Sequence, residues 1–431
     1  MDAGKYFGTF RACYGIKDAI ILNHAPVGCN WGTMIYGTSQ NLNDLRMSSS
    51  IMHEQEIVFG GENTLKETLI SMDSNYDSVK NPLLVLLVGD IPSIIGDDVS
   101  GIIEDLDIEK DHIVINAEAF KGDAKKGYED GLLNLYSLIP KNFDKEVKDN
   151  NNTNNNTNNN TNNNTNNNTN NNTNNNTNNT NNKSTNLINL IGVSIDDYKI
   201  EADLKEIKRI LKEFNIEINC VISNCTYSEF LNSPNADLNV VIGQGFEFAK
   251  IMQKEHDIDY ISVNYPYGIE GTKKFLKSII SKFENNAYFD EKAFELKYDS
   301  LVDYEPYKKV SVYMNGLYSV PVSVIGDHKA ESMAEFLSQE LGMDMEIVAN
   351  YGDDYKQAVL SSYSTMIFGS SFEKGLSIDL DVPLIRYTYP VFDNVSLCDN
   401  IPYAGINGAL CLVEDILNAA LSRCGKFEFK M

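Results

Sequence analysis

Two side chains in the first quarter of the chain have both the chemistry and the placement to hold a ligand. Cys29 ends the run His24-Ala25-Pro26-Val27-Gly28-Cys29, a thiol on a Pro/Gly turn. Asp90 follows Leu83-Leu84-Val85-Leu86-Leu87-Val88-Gly89, a carboxylate at the mouth of a buried strand. In an α/β sheet both positions fall at the carboxyl ends of strands, where such sheets present ligands. Glu56-Ile57-Val58-Phe59-Gly60-Gly61 lies between them, and Gly96-Asp97-Asp98 comes after. Each residue also has a structural reading. A turn thiol is commonly buried, and an Asp between Gly and Ile-Pro makes a good turn or cap. His24 precedes a Pro turn and either fixes it by a hydrogen bond or serves as a proton donor.

The elements that must position these groups read as strand and helix in alternation. Ala19-Ile20-Ile21-Leu22 is a strand delivering the chain to the Cys29 turn, and residues 31–43 read as irregular structure over a site. Ser48-Ser49-Ser50 reads as a polar approach to the Glu56 segment, and residues 65–72 as a short helix. The uninterrupted Leu/Val run at 83–88 suits a strand buried on both faces of a parallel sheet. Asp97 and Asp98 then supply acidic residues for a helix start, and residues 112–116 form the next strand. The class is α/β.

From 150 to 182 the sequence is almost pure Asn-Asn-Asn-Thr repeat. It has nothing apolar to bury and cannot offset its ordering entropy, so it reads as a disordered insertion between domains. A strand follows at 186–192, and Leu204, Ile207, Ile210, Leu211 and Phe214 then mark one helical face. Ile216, Ile218, Cys220 and Ile222 alternate, which places Cys220 in the core. A third unit has a strand entering Gly326-Asp327, then Gly369-Ser370-Ser371-Phe372-Glu373-Lys374, Pro390-Val391-Phe392-Asp393, and a helix opening at Gly405-Ile406-Asn407-Gly408-Ala409. The expected organisation is a first domain at 1–140, the insertion at 141–185, a second domain at 186–283 and a third at 284–431.

Bulk properties exclude several classes. At 431 residues the chain is too long for one ordinary core. A net charge of −25 argues against nucleic acid, whose phosphates call for Lys/Arg clusters. No apolar run approaches the roughly 20 residues that span a bilayer. The first residues lead into no apolar signal core, so a cytoplasmic protein is expected. Seven cysteines without regular spacing are no disulfide framework; they are core residues or metal ligands.

The motifs around His24–Cys29, Glu56–Gly61 and Val88–Asp98, with Pro266-Tyr267-Gly268-Ile269 and Thr272, the Gly369–Lys374 and Pro390–Asp393 segments and the Gly405–Ala409 helix start, occur in an order that resembles component 1 of the nitrogenase family. That family includes the nitrogenase-like reductases of tetrapyrrole biosynthesis. The resemblance implies three Rossmann-like parallel-sheet domains. It also implies an iron–sulfur cluster, four-iron four-sulfur, held between two related subunits by cysteines at three places in each first domain. Those places match Gly4, Cys29 and Asp90, so one thiol is kept and a carboxylate replaces another. Cys13 is near the first place but out of register, and Cys398 falls on the side expected for the active site. The cofactor cysteine of the catalytic nitrogenase subunit is replaced by Gly243, so dinitrogen reduction by this chain is disfavoured and a β-type or accessory subunit is implied. No Gly-x-x-x-x-Gly-Lys-Ser/Thr loop is present, so ATP belongs to a separate iron protein. The implied partners are that ATP-dependent iron protein and a second component 1 type subunit, homologous or identical. Two alternatives stand beside this oxidoreductase reading: a non-catalytic scaffold for metallocofactor assembly, and a cluster-less pseudo-subunit supporting a partner.

Deleting residues 150–182 is expected to leave the thermal midpoint and partner binding within error, measured by differential scanning fluorimetry and size-exclusion chromatography. A large loss of either would make the tract structural.

Overall fold

The computed structural model describes residues 4–29, 32–33, 46–75, 80, 82–141, 143, 185–284 and 289–424. The Asn/Thr tract and most of 31–43 lie outside them. Three four-stranded sheets hold the fold, and every strand pairing within them is parallel. The first contains β1 (Ala19–Pro26), β2 (Met47–Met52), β3 (Leu83–Val88) and β4 (Asp111–Asn116). The second contains β5 (Asn186–Ile191), β6 (Ile216–Val221), β7 (Leu238–Ile242) and β8 (Tyr260–Val263). The third contains β9 (Pro321–Gly326), β10 (Asp344–Asn350), β11 (Met366–Gly369) and β12 (Leu384–Arg386).

All three sheets share one strand order: β2-β1-β3-β4, β6-β5-β7-β8 and β10-β9-β11-β12. In each, the chain leaves the first strand toward one edge and returns across it to the other. The crevice between the first and third strands is therefore a topological switch point, the place where doubly wound sheets bind ligands. All six residues of β3 are buried, which is why its sequence runs Leu/Val without alternation. Ser48, Ser49 and Ser50, expected to be a polar approach, lie in β2, an edge strand paired with β1. An edge strand tolerates polar residues because only one side is paired in the sheet, and Ser50 has a partner inside (below).

The units do not keep to themselves. One core cluster joins Tyr6, Val85, Leu87 and Leu132 of the first unit to Val241 and Phe248 of the second. Another runs from Ile188 and Val240 of the second sheet into Val322 and Phe368 of the third. The last helix, Gly405–Cys424, packs against the helices Ile200–Glu213 and Gly268–Phe283, which flank the second sheet.

Buried charge ties the same seams. Arg11 of the helix Lys5–Tyr14 donates from Nε to Asp196 Oδ1 at 2.8 Å and pairs through Nη2 with Asp197 Oδ1. Lys329, just past β9, reaches Asp197 Oδ2 at 2.6 Å. Asp197 and Lys329 are 0% and 1% exposed, so three units meet on one dry carboxylate. Lys329→Met keeps most of the side-chain length and removes the charge. It is expected to cost about 3–5 kcal/mol, the usual result of breaking a buried pair from one side. The loss should appear as a lower urea midpoint, and it should persist at high salt because the pair is shielded from mobile ions.

Candidate functional site

Cys29 lies three residues past β1, and Asp90 two residues past β3. Because β1 pairs with β3, both stand at the switch point of the first sheet. The Cys29 thiol is half-buried, and burial together with the charge of Asp90 pushes its pKa up. Asp90 opens the short helix Asp90–Ile95 and makes no cap; its Oδ1 accepts one long bond, 3.5 Å, from the Phe120 N–H. Tyr6 feels both groups: burial, then Cys29 and Asp90, push its hydroxyl pKa well above the ordinary value. Its hydroxyl donates to Asn23 Oδ1 at 3.0 Å, Asn23 donates to Thr33 at 3.3 Å, and Thr33 donates to the Cys29 carbonyl at 3.4 Å. That relay fixes the turn carrying the thiol.

Behind the turn, residues from three separated motifs meet in one node. His24 Nε2 is 3.0 Å from Asp97 Oδ2, and the Gly61 N–H is 3.1 Å from both Asp97 oxygens. A carboxylate only accepts, so Nε2 carries the proton and Nδ1 accepts from the Ser50 hydroxyl at 2.6 Å. A Cβ at position 61 would lie 2.8 Å from Asp97 Oδ2 and 2.9 Å from His24 Cε1, which is why glycine stands there. Of the two readings of His24, the node supports the hydrogen bond that fixes the turn. Asp98, the neighbouring acid, caps the helix Val99–Asp105 through the Gly101 N–H at 3.0 Å.

A second feature lies between the units. A cavity of about 740 Å³ is bounded by Arg11 and by residues just past the strands of the second and third sheets, among them Gly243, Tyr265, His328, Tyr351 and Tyr389. Gly243 has φ +70°, and a Cβ there would lie 2.4 Å from His328 Cδ2, so an imidazole fills the space a side chain would need. Four other thiols fall elsewhere. Cys13, Cys220 and Cys225 are buried, and Cys398 is exposed on a separate cavity beside Lys199 and Arg46. Among the described residues no three His, Cys, Asp or Glu side chains stand together as a metal site.

The family model described as nitrogenase component 1 type oxidoreductase matches residues 5–358. The chain belongs to that family. It is 23% identical to the nitrogenase vanadium-iron protein beta chain of Trichormus variabilis, over 96% of this chain and 91% of the relative. It is 23% identical to the nitrogenase iron-molybdenum cofactor biosynthesis protein NifE of Clostridium pasteurianum, over 84% and 71%. A light-independent protochlorophyllide reductase subunit from Huperzia lucidula is 25% identical over 54% of this chain and 52% of the relative. Among solved structures, nitrogenase Cp1 at pH 6.5 superposes with a TM-score of 0.70 at 17% identity, covering 100% of this chain and 94% of that one. This likeness concerns the fold.

As a component 1 type chain, it carries Cys29 and Asp90 where the sequence places them, at strand ends of the first sheet. Arg11, Asp197, His328 and Lys329 were not legible as a group, because they lie far apart in sequence. The available signal was Asp327-His328-Lys329 directly after an apolar strand, the carboxyl-end position that had singled out Asp90.

Burial lowers the pKa of His24, and Asp97 only partly offsets it. The unfolded imidazole titrates near roughly 6.5, so the unfolded chain binds more protons between that value and the lower folded one. The stability from neutral His24 is thus fully present above about pH 6.5 and is lost as pH falls toward the folded pKa. Urea midpoints of wild type should drop more steeply from about pH 7 to about pH 5 than those of His24→Gln. At about pH 7 the variant should be less stable by about 1–3 kcal/mol.

Proposed function

We propose that this chain is a subunit of a nitrogenase-like oxidoreductase of the component 1 type, working in the cytoplasm. In this reading Cys29 and Asp90 are ligands of an iron–sulfur cluster shared with a second, homologous or identical subunit. Electrons come from an ATP-dependent iron protein and reduce a substrate or cofactor bound between the units.

One observation carries the reading. The two donors stand together at the switch point of the first sheet, and every strand of that sheet leads on to an exposed apolar side chain. Val27 follows β1, Phe59 follows β2, Ile94 follows β3 and Phe120 follows β4. Phe59 is 87% exposed and Ile94 68%, values that suit a surface covered by another protein. The vanadium-iron relative is named a beta chain and the protochlorophyllide reductase relative a subunit, names for one kind of chain among others.

The donor set fits half a cluster site. One chain offers a thiol and a carboxylate, and two such chains offer four ligands. When bound, an iron–sulfur cluster supplies one-electron storage and transfer. The residues of this chain hold and tune that site. Cys29 must lose its proton to ligate, and its raised pKa makes that loss dependent on the metal. Asp90 is the harder and more easily displaced donor. The Tyr6–Asn23–Thr33 relay keeps the thiol turn in place.

Cys29→Ala is expected to abolish the iron–sulfur absorbance of anaerobically purified protein. Asp90→Cys should keep the cluster and shift its reduction potential, while Asp90→Ala should weaken it. Full iron and sulfide content in Cys29→Ala would remove the cluster assignment, and the pseudo-subunit reading would take its place.

A further inference from the structure

The cavity beside Cys398 has a volume of about 530 Å³ and is walled by all three units. Lys17 and Arg46 stand just before β1 and β2, Asp197 follows β5, and residues 396–399 lie between β12 and the last helix. Glu201 and Ala202, in the first turn of the helix Ile200–Glu213, line it as well. The volume falls within the roughly 300–1,000 Å³ typical of sites for small organic ligands.

That helix start is short of acceptors. The first N–H groups of any helix lack intrahelical partners. Here Lys199 stands at the N-cap, and a lysine side chain has no oxygen to cap with. The Ile200 N–H reaches the Asp197 carbonyl at 3.2 Å, and the Asp203 N–H reaches the Lys199 carbonyl at 3.0 Å. Among the described residues the two amides between them, of Glu201 and Ala202, have no acceptor. Ala202 is 3% exposed, so little solvent reaches it. Free amides at the positive end of a 14-residue helix attract an anion.

The Lys199 side chain makes the same demand independently. It lines the cavity, is 8% exposed, and among the described residues its ammonium makes no hydrogen bond. Asp415 Oδ2 stands 3.9 Å away and already accepts from the Tyr403 hydroxyl, while the Tyr403 ring lies 3.9 Å from the ammonium. Burial pulls the Lys199 pKa down against the pull of Asp415, as happens to a charge short of a counter-ion. Lys17 and Arg46 add positive charge to these walls, in a chain whose net charge is −25. The carboxylates there are engaged: Asp197 with Arg11 and Lys329, Asp399 with Lys205, and Glu201 with Lys17 at 3.9 Å. We propose that this cavity binds the phosphate group of a small molecule, with Lys199 and the amides of Glu201 and Ala202 as its donors. The site is separate from Cys29 and Asp90 and does not depend on a cluster there.

Inorganic phosphate and glycerol phosphate are the probes, titrated calorimetrically into the full-length protein in chloride buffer. Wild type should bind them saturably. Lys199→Met, similar in length, should bind about tenfold more weakly or worse, the usual loss for a charged hydrogen bond. Lys17→Met should weaken binding by about two- to fivefold, the scale of an exposed charge. Glu201→Gln removes a negative charge at the site and should tighten binding by about twofold or more. Thermal melts would establish that the variants fold, and a gain of affinity in Glu201→Gln is a result that misfolding cannot imitate. Tighter binding of glycerol phosphate would assign the site to an ester, and tighter binding of inorganic phosphate to the free ion. Failure of wild type to bind either probe would overturn the proposal, as would equal affinities in wild type, Lys199→Met and Glu201→Gln.

Discussion

One buried carboxylate, Asp197, meets side chains from the two other units at the seams their shared cores close. Arg11 approaches it from the first unit and Lys329 from the third, while the carboxylate itself follows β5 of the second. Each partner would be costly to bury alone, and each is tolerable because the others neutralise it. Asp196 shares the load. Burial raises its pKa to about 6, with Asp197 adding to the effect and Arg11 opposing it. Since Arg11 also bounds the interdomain cavity, the contact that joins the units sets one wall of the space between them.

The three sheets use one topology, and each puts its chemistry at the same place in it. Past the central strands stand Cys29 and Asp90 in the first sheet, Asp197 and Gly243 in the second, and His328 and Phe372 in the third. The first sheet opens its crevice outward, beneath exposed apolar side chains. The other two open into a shared cavity. One fold, used three times, thus provides an outer crevice and an inner cavity.

Much of this was legible in the sequence. The Leu/Val run of β3 and the apolar face of the helix Ile200–Glu213 express burial directly, so strand and helix could be read from them. Cys220 was legible as a core residue for the same reason. Ser48, Ser49 and Ser50 misled, because a polar edge strand lacks the apolar signature of a central one. The partnership of His24 with Asp97 was hidden by 73 positions of separation, although both residues stood in motifs already singled out. His328 escaped notice because nothing in its sequence neighbourhood shows that its ring fills the space beside Gly243.

The helix starts carry a consequence for synthesis. Glu129 of the first unit accepts from the N–H groups of Gly245, Phe246 and Glu247, at the start of a second-unit helix. Glu206 of the second unit does so for Asn407, and Glu340 of the third for Ile269 and Glu270. As the chain leaves the ribosome from its N-terminus, the helix Phe246–His256 meets an acid already made. The helix Gly268–Phe283 has to wait for its own, because Glu340 lies 71 residues beyond Ile269 and 70 beyond Glu270. Until then its first amides lack that acceptor, and the second unit's helix is completed only by a residue of the third.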